Sequence, residues 1–301
     1  MIIKNLMELV GGTPLLNLEG INPNIWAKLE YRNPLGSVKD RAALYMMKDA
    51  LETGKANKDT VIVESTSGNT GIALSFICTS LGMKLILTMP ESMSIERRKL
   101  LAALGAELEL TPAALGMRGA LDRAKEICEL KNGYMIGQFE NPANAEAHRQ
   151  TTGPEILKDM DNDVDIFVAG VGSGGTITGC GEVIKQAVPK AQVFAVEPAE
   201  SPVLEGGKAA PHKIQGIGAG FVPKLLNRDI LDGVVAVNSQ DAAHAARMLG
   251  RSTGLLAGIS SGAALAAAQK LAAKPENAGK RIVVILPDTG ERYLSTDLFD
   301  S

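Results

Sequence analysis

Six short runs of almost unbroken apolar residues recur along the chain: Val61-Ile-Val, Leu85-Ile-Leu, Ile166-Phe-Val, Val193-Phe-Ala-Val, Val234-Val-Ala-Val and Ile282-Val-Val-Ile-Leu. None alternates apolar with polar residues, so each reads as a strand whose two faces are both covered. Between the runs lie stretches with helical character, Thr70 to Leu81, Ser94 to Leu104, Met117 to Leu130, Thr176 to Val188 and Gln240 to Leu249. Doubly buried strands interleaved with helices predict an α/β fold with mainly parallel twisted sheets flanked by helices. At 301 residues the chain has room for about two such domains. The turn-rich Asn141-Pro142-Ala143-Asn144, near the midpoint, marks the break.

Composition removes several classes of function. The net charge is −3 and aromatics are only 4%, which provides neither the electrostatic footprint nor the stacking surface of a nucleic-acid binder. Cys78, Cys128 and Cys180 are far apart and form no CxxC pair, which points away from disulfides and zinc ribbons and toward a reducing, cytoplasmic setting. His148, His212 and His244 are too scattered to read as a metal cluster, so no metal is expected. Lys4, Asn5 and Glu8 interrupt the apolar N-terminus, against a secretory signal. The longest uncharged stretch, Ser252 to Gln269, consists of Gly, Ser and Ala and suits close helix packing in water better than a membrane span.

Asn33-Pro34-Leu35-Gly36-Ser37-Val38-Lys39-Asp40-Arg41 reads as a turn entering a helix that runs to about Thr53, with Ser37 as N-cap. At 100° per residue Lys39 shares a stripe with Ala43, Met46, Met47 and Ala50, while Arg41, Lys48, Glu52 and Lys55 fall opposite. An inward lysine in a first helical turn has its ammonium form disfavoured by both dipole and desolvation, and a neutral amine attacks aldehydes. Helical phase alone is better served by a lysine that snorkels out to water.

Two loops suit anions. Glu64-Ser65-Thr66-Ser67-Gly68-Asn69-Thr70-Gly71 joins a strand to an apolar helix, where backbone N–H groups and hydroxyls can converge on a carboxylate or phosphate; an ordinary Ser/Thr cap is the plainer explanation. Gly170-Val171-Gly172-Ser173-Gly174-Gly175-Thr176 does the same in the other half. This second loop also fits G-x-G-x-x-G, with Glu197 at the distance of a ribose-binding acid, so a nicotinamide-dependent oxidoreductase is a rival. That rival leaves Lys39 and the loop at 65–71 unexplained. Gly258-Ile259-Ser260-Ser261-Gly262 matches G-x-S-x-G, yet no histidine follows His244, which excludes a hydrolase of Ser…Asp…His order. Ser260 or Ser261 then either caps the Ala-rich helix or meets a ligand heteroatom.

Further segments complete an ordered series. They are Val10-Gly-Gly-Thr-Pro-Leu, Met89-Pro-Glu-Ser-Met-Ser-Ile-Glu-Arg-Arg, Gln138-Phe-Glu-Asn-Pro, Thr151-Thr-Gly-Pro-Glu-Ile, Gln215-Gly-Ile-Gly-Ala-Gly-Phe and Pro287-Asp-Thr-Gly-Glu-Arg-Tyr-Leu-Ser-Thr. With N-P-x-G-S-V-K-D-R at Asn33–Arg41, T-S-G-N-T-G at Thr66–Gly71 and the glycine loop, the chain resembles the cysteine synthase (O-acetylserine sulfhydrylase) family of fold-type II pyridoxal-phosphate enzymes over nearly its whole length. Ser173 stands where that family often has Thr, and Leu35 occupies a variable position.

The resemblance implies a tryptophan synthase β-like fold of two α/β domains. Residues 36–145 would form the smaller, and 1–35 with 146–301 the larger, with the active site in the cleft between them. It implies that Lys39 holds pyridoxal 5'-phosphate as a Schiff base and acts as general base. Gly172, Ser173, Gly174, Gly175 and Thr176 would cradle the cofactor phosphate, Asn69 would bond the ring 3'-oxygen, and Ser260 would meet the pyridine nitrogen. Thr66, Ser67, Gly68, Thr70 and Gln138 would hold the substrate carboxylate. The implied reaction makes L-cysteine and acetate from O-acetyl-L-serine and sulfide through an aminoacrylate. Related β-replacements of the O-phosphoserine or cystathionine β-synthase type stay open, although the lack of arginine within Gln215 to Pro223 disfavours a phosphorylated substrate. A homodimer and capture of the C-terminal tail of serine acetyltransferase are the partners implied.

Overall fold

Each apolar run of the sequence becomes a strand in the computed structural model, which describes residues 2–66 and 68–300. The strands are β1 (Leu15–Asn17), β2 (Ile25–Leu29), β3 (Ile62–Ser65), β4 (Leu85–Pro90), β5 (Glu107–Thr111), β6 (Tyr134–Met135), β7 (Ile166–Gly170), β8 (Gln192–Pro198), β9 (Gly233–Val237) and β10 (Ile282–Leu286). The helices are α1 (Lys39–Glu52), α2 (Asn69–Leu81), α3 (Ile95–Ala103), α4 (Gly116–Leu130), α5 (Ala143–Ala147), α6 (Gly153–Asp159), α7 (Gly175–Ala187), α8 (Ser239–Thr253) and α9 (Ile259–Ala272). A single π-helical turn, His148–Thr152, joins α5 to α6.

The chain divides into two compact units. The smaller comprises the segment up to Val10 with Lys39–Asn144, and the larger Gly11–Val38 with everything from Ala145. The segment up to Val10 therefore departs from the expected grouping with the larger domain: the 3-10 helix Leu6–Leu9 packs against α2 of the smaller unit. The smaller unit holds a four-stranded sheet in the order β5-β4-β3-β6, parallel throughout. Val63 and Ile86 on one face of it pack with Ala124 and Ile127 of α4.

The larger unit holds a six-stranded sheet in the order β1-β2-β10-β7-β8-β9, parallel except for β1. Strand β10 shows why its sequence reads as unbroken apolar. Ile282, Val284 and Leu286 join a core with α8 and α9, while Val283 and Ile285 join a second core with α6 and α7. The small residues of α9 serve close packing, because a methyl group at Gly262 would collide with the backbone of α8 at Ala242 and Ala246.

Strands β1, β2, β5 and β6 lie outside the six apolar runs. Strand β5 alternates, with Glu107 and Glu109 in the sequence ELELT, and occupies a sheet edge. Strand β2 contains Lys28, which is fully buried. Its ammonium donates to the carbonyl of Thr13 at 2.6 Å and pairs with Glu155 at 3.0 Å and Asp159 at 3.3 Å, so the charge is compensated where β2 passes beneath α6. Lys28→Ala, which removes the cation and leaves its partners uncompensated, is expected to cost about 2–4 kcal/mol of stability in urea unfolding.

Candidate active site

In the smaller unit the chemistry gathers at the C-terminal ends of β3 and β6, which are parallel neighbours. After β3 the chain turns through Thr66 and Gly68 into α2. Gly68 is the N-cap residue and contributes no side chain, so the first N–H groups of α2 have no side-chain cap from it. Thr66 Oγ1 accepts the Gly68 N–H at 3.2 Å, closing the turn, and Gly71 leaves only van der Waals room for Thr66 and Leu87 against the helix. Asn69 and Thr70 are the first two residues of α2. Ser67 lies outside the described residues.

From the end of β6, Gln138 meets this loop. Its Oε1 accepts a hydrogen bond from the Thr70 hydroxyl at 2.6 Å, and both residues are buried. That bond orients the amide, leaving its N–H groups as donors for an anion. Gln138 is held in turn by the Asn144 side chain, which donates to its carbonyl at 2.8 Å. Beneath it lies a residue that the motif reading passed over. Glu64 of β3 accepts the Gly137 N–H at 2.8 Å, and the N–H groups of Ser65 and Gln138 also favour its charged form. Burial pushes its carboxyl up to about 7, against the opposing pull of those three N–H donors.

Lys39 is the first residue of α1 and is partly buried. Ala43, Met46, Met47 and Ala50, which share its stripe, are fully buried as helical phase predicts. Two expectations fail here. Arg41, assigned to the outward stripe, is fully buried together with Asp40, since tertiary packing covers the face that helical phase alone leaves to water. Ser37 is not the residue before the helix: it bridges Asp288, and the following Val38 donates its N–H to Pro287 at 2.8 Å. The segment entering α1 is thus pinned by the chain that leaves β10.

In the larger unit β7 runs into Val171-Gly172-Ser173-Gly174 and then α7. Gly174 is the N-cap of α7 at φ +87° and offers no side-chain cap, so the helix start presents bare N–H groups. A methyl group at Gly172 would collide with the carbonyl oxygen of Gly216, and one at Gly170 with Ile217. The segment at 216–218 is fastened there by the Gly218 N–H, which donates to Val171 at 3.0 Å. The same segment passes Ser260, with the Cβ direction of Gly216 pointing 3.6 Å from its Oγ. Glycine loop, Gly216 and Ser260 therefore form one group. Ser260 is buried, and the N-cap of α9 is Gly258, so neither Ser260 nor Ser261 is the capping residue.

Thr176 has a partner that sequence spacing could not reveal. His148 Nε2 lies 3.2 Å from its hydroxyl, and His148 Nδ1 lies 2.9 Å from Thr152 Oγ1. The π-turn carries this histidine against α7, where Gly179 leaves space for its Cβ and for the backbone at Ala145.

The model of the family described as "pyridoxal-phosphate dependent enzyme" matches residues 6–288. The chain belongs to that family. It is 54% identical over 297 residues to a protein named cysteine synthase B from Campylobacter jejuni, with 98% of each chain covered. Among solved structures it resembles the cysteine synthase of Entamoeba histolytica, with a TM-score of 0.97 and 43% identity over 100% of this chain and 92% of the other. It also resembles an O-acetylserine-dependent cystathionine β-synthase of Helicobacter pylori, with a TM-score of 0.92 and 39% identity over 99% of each chain.

The residues of this pyridoxal-phosphate dependent enzyme fit the cofactor. An uncapped helix start reached through glycines, with a cradle that a single methyl group would fill, suits a phosphate held by backbone N–H groups. The nicotinamide reading fails at Glu197. Its carboxylate is buried and accepts the N–H groups of Leu204 at 2.7 Å and Glu205 at 3.2 Å, tying down its own loop instead of facing a ribose. Gly172→Ala is expected to weaken pyridoxal phosphate binding at least about tenfold by fluorescence titration, with an unchanged circular dichroism spectrum, because the loop must move off Gly216.

Proposed function

We propose that this enzyme makes L-cysteine and acetate from O-acetyl-L-serine and sulfide. The observation that supports the proposal is Ser260 grouped with the glycine loop at the start of α7: a neutral hydroxyl, in place of a carboxylate that would keep the nitrogen protonated, would then meet the ring nitrogen. When bound, the cofactor supplies an electron sink for the substrate Cα. Ser260, which accepts or donates a hydrogen bond without fixing a charge, keeps that sink modest and so favours β-elimination over transamination.

Lys39 would hold the cofactor through its amine, and that amine, when free, would take the Cα proton as general base. Gly172, Ser173, Gly174, Gly175 and Thr176 would bind the phosphate, with His148 steadying the Thr176 hydroxyl. Asn69 would orient the cofactor ring at its 3'-oxygen. Thr66, Ser67, Gly68, Thr70 and Gln138 would bind the substrate carboxylate, using the start of α2 and the amide N–H groups that the Thr70 bond leaves outward. Acetate would leave Cβ with the electron pair of the C–O bond, sulfide would bond to that carbon, and Lys39 would return the proton to Cα.

We place the enzyme in the cytoplasm as a homodimer. Three free cysteines support a reducing setting, and among the described residues no helix is long and apolar enough to cross a membrane. Exposed Ile95, Leu100, Leu110 and Leu115 on the smaller unit support self-association. The C-terminal tail of serine acetyltransferase is the peptide partner we propose, competing with O-acetylserine.

The deciding assay mixes purified holoenzyme with O-acetylserine and sulfide, with homocysteine as the competing acceptor. Cysteine is expected as the main product; cystathionine in its place, or no turnover, overturns the assignment. Lys39→Ala is expected to lower kcat by roughly 10³-fold or more while the fold, read by circular dichroism, stays intact.

A further inference from the structure

One buried ionisable group of the smaller unit takes no part in the chemistry above. Glu64 is 4% exposed, and its carboxylate accepts the Gly137 N–H at 2.8 Å. Among the described residues no charged side chain approaches it. We propose that Glu64 is a positioning residue for the substrate-carboxylate site, acting through Gln138. This rests on the reading of Gln138 as part of that site.

The turn after β6 explains the action. Gly137 adopts φ +67°, a turn conformation in which its own N–H donates to the Glu64 carboxylate immediately before Gln138. Gln138 is then held through its neighbour Gly137 by Glu64, at its carbonyl by Asn144, and at its side-chain oxygen by Thr70. The first of these ties the turn to a side chain of β3, the strand that leads into Thr66 and Thr70. Glu64 thus sets the register between the two halves of the carboxylate site, and a small displacement of the turn would misdirect the Gln138 amide.

Charge matters as well as shape, since the Gly137 N–H donates to a buried carboxylate. An amide at position 64 keeps one acceptor oxygen in place of two and carries no charge. A protonated carboxyl would likewise lose acceptor capacity. The group's raised pKa, about 7 and caused first by burial, places that loss near neutrality. The ionised clamp is complete above that pH and is lost as pH falls through it.

The test is steady-state kinetics on holoenzyme for Glu64→Gln, Gln138→Ala and the double variant. Glu64→Gln is expected to raise KM for O-acetylserine roughly ten- to a hundredfold, as loss of one charge-assisted hydrogen bond does, with kcat, KM for sulfide and cofactor retention nearly unchanged. The double variant should be no worse than the poorer single, because both act on one element. If Gln138→Ala raises KM and Glu64→Gln does not, the inference falls alone. If Gln138→Ala leaves KM unchanged, the carboxylate-site reading falls and takes the inference with it. A Glu64→Gln protein that does not fold shifts the decision to the unaltered enzyme. There KM for O-acetylserine must rise from about pH 8 to about pH 6, and a flat profile overturns the proposal.

Discussion

Between the loop after β7 and the segment at Gly216 there is room for backbone and nothing more. A methyl group at position 172 would enter the Gly216 carbonyl oxygen, so both partners come together as bare chain. The start of α7 is thereby left with N–H groups that no side chain of its N-cap satisfies. Such a site favours an anion that can approach as closely as the backbone allows. The same close approach carries the chain at 216–218 past Ser260, so the glycine loop and Ser260 are held in one group.

The sheets explain why chemistry collects where it does. In the larger unit the connection from β7 moves outward to β8 and β9, while β10 lies on the other side of β7; in the smaller, β3 leads to β4 and β5, while β6 lies on its other flank. Each unit therefore has a point at which successive connections diverge, and loops at the C-terminal ends of the flanking strands part there to leave a crevice. Gly172 follows β7, and the Pro287–Asp288 segment follows β10. Thr66 follows β3 and Gln138 follows β6. The Thr70–Gln138 bond, across 68 residues of chain, is a direct product of β3 pairing with β6.

Buried polar groups mark the same places. Glu64 and Glu197 both lie next to the last residue of a strand and accept N–H groups from a loop, Glu64 from the turn after β6 and Glu197 from the chain after β8. Burial raises the pKa of each, and each is engaged by backbone donors. Their duties differ because of what the held loop carries: Glu197 secures a connection after β8, whereas Glu64 secures the turn that presents Gln138. Lys28 shows the complementary case, a buried cation matched by two carboxylates and a carbonyl.

The sequence by itself determined the strands of the two buried sheets, the buried stripe of α1 behind Lys39 and the residue types of both anion loops. These are local properties: period, side-chain volume and the freedom of glycine act over a few neighbouring residues. Strands β2 and β5 escaped because charges break their apolar runs, and Lys28 is tolerated only where α6 supplies its partners. Helical phase placed Arg41 in water, and only the packing around the first turn of α1 buried it. The glycine pattern with Glu197 was compatible with a dinucleotide until the fold spent that carboxylate on Leu204 and Glu205. His148 looked isolated until a π-turn brought it to Thr176. Which loops meet was decided by strand order, because hydrogen bonds between distant segments depend on the neighbours a sheet assigns, and no short stretch of sequence contains that information.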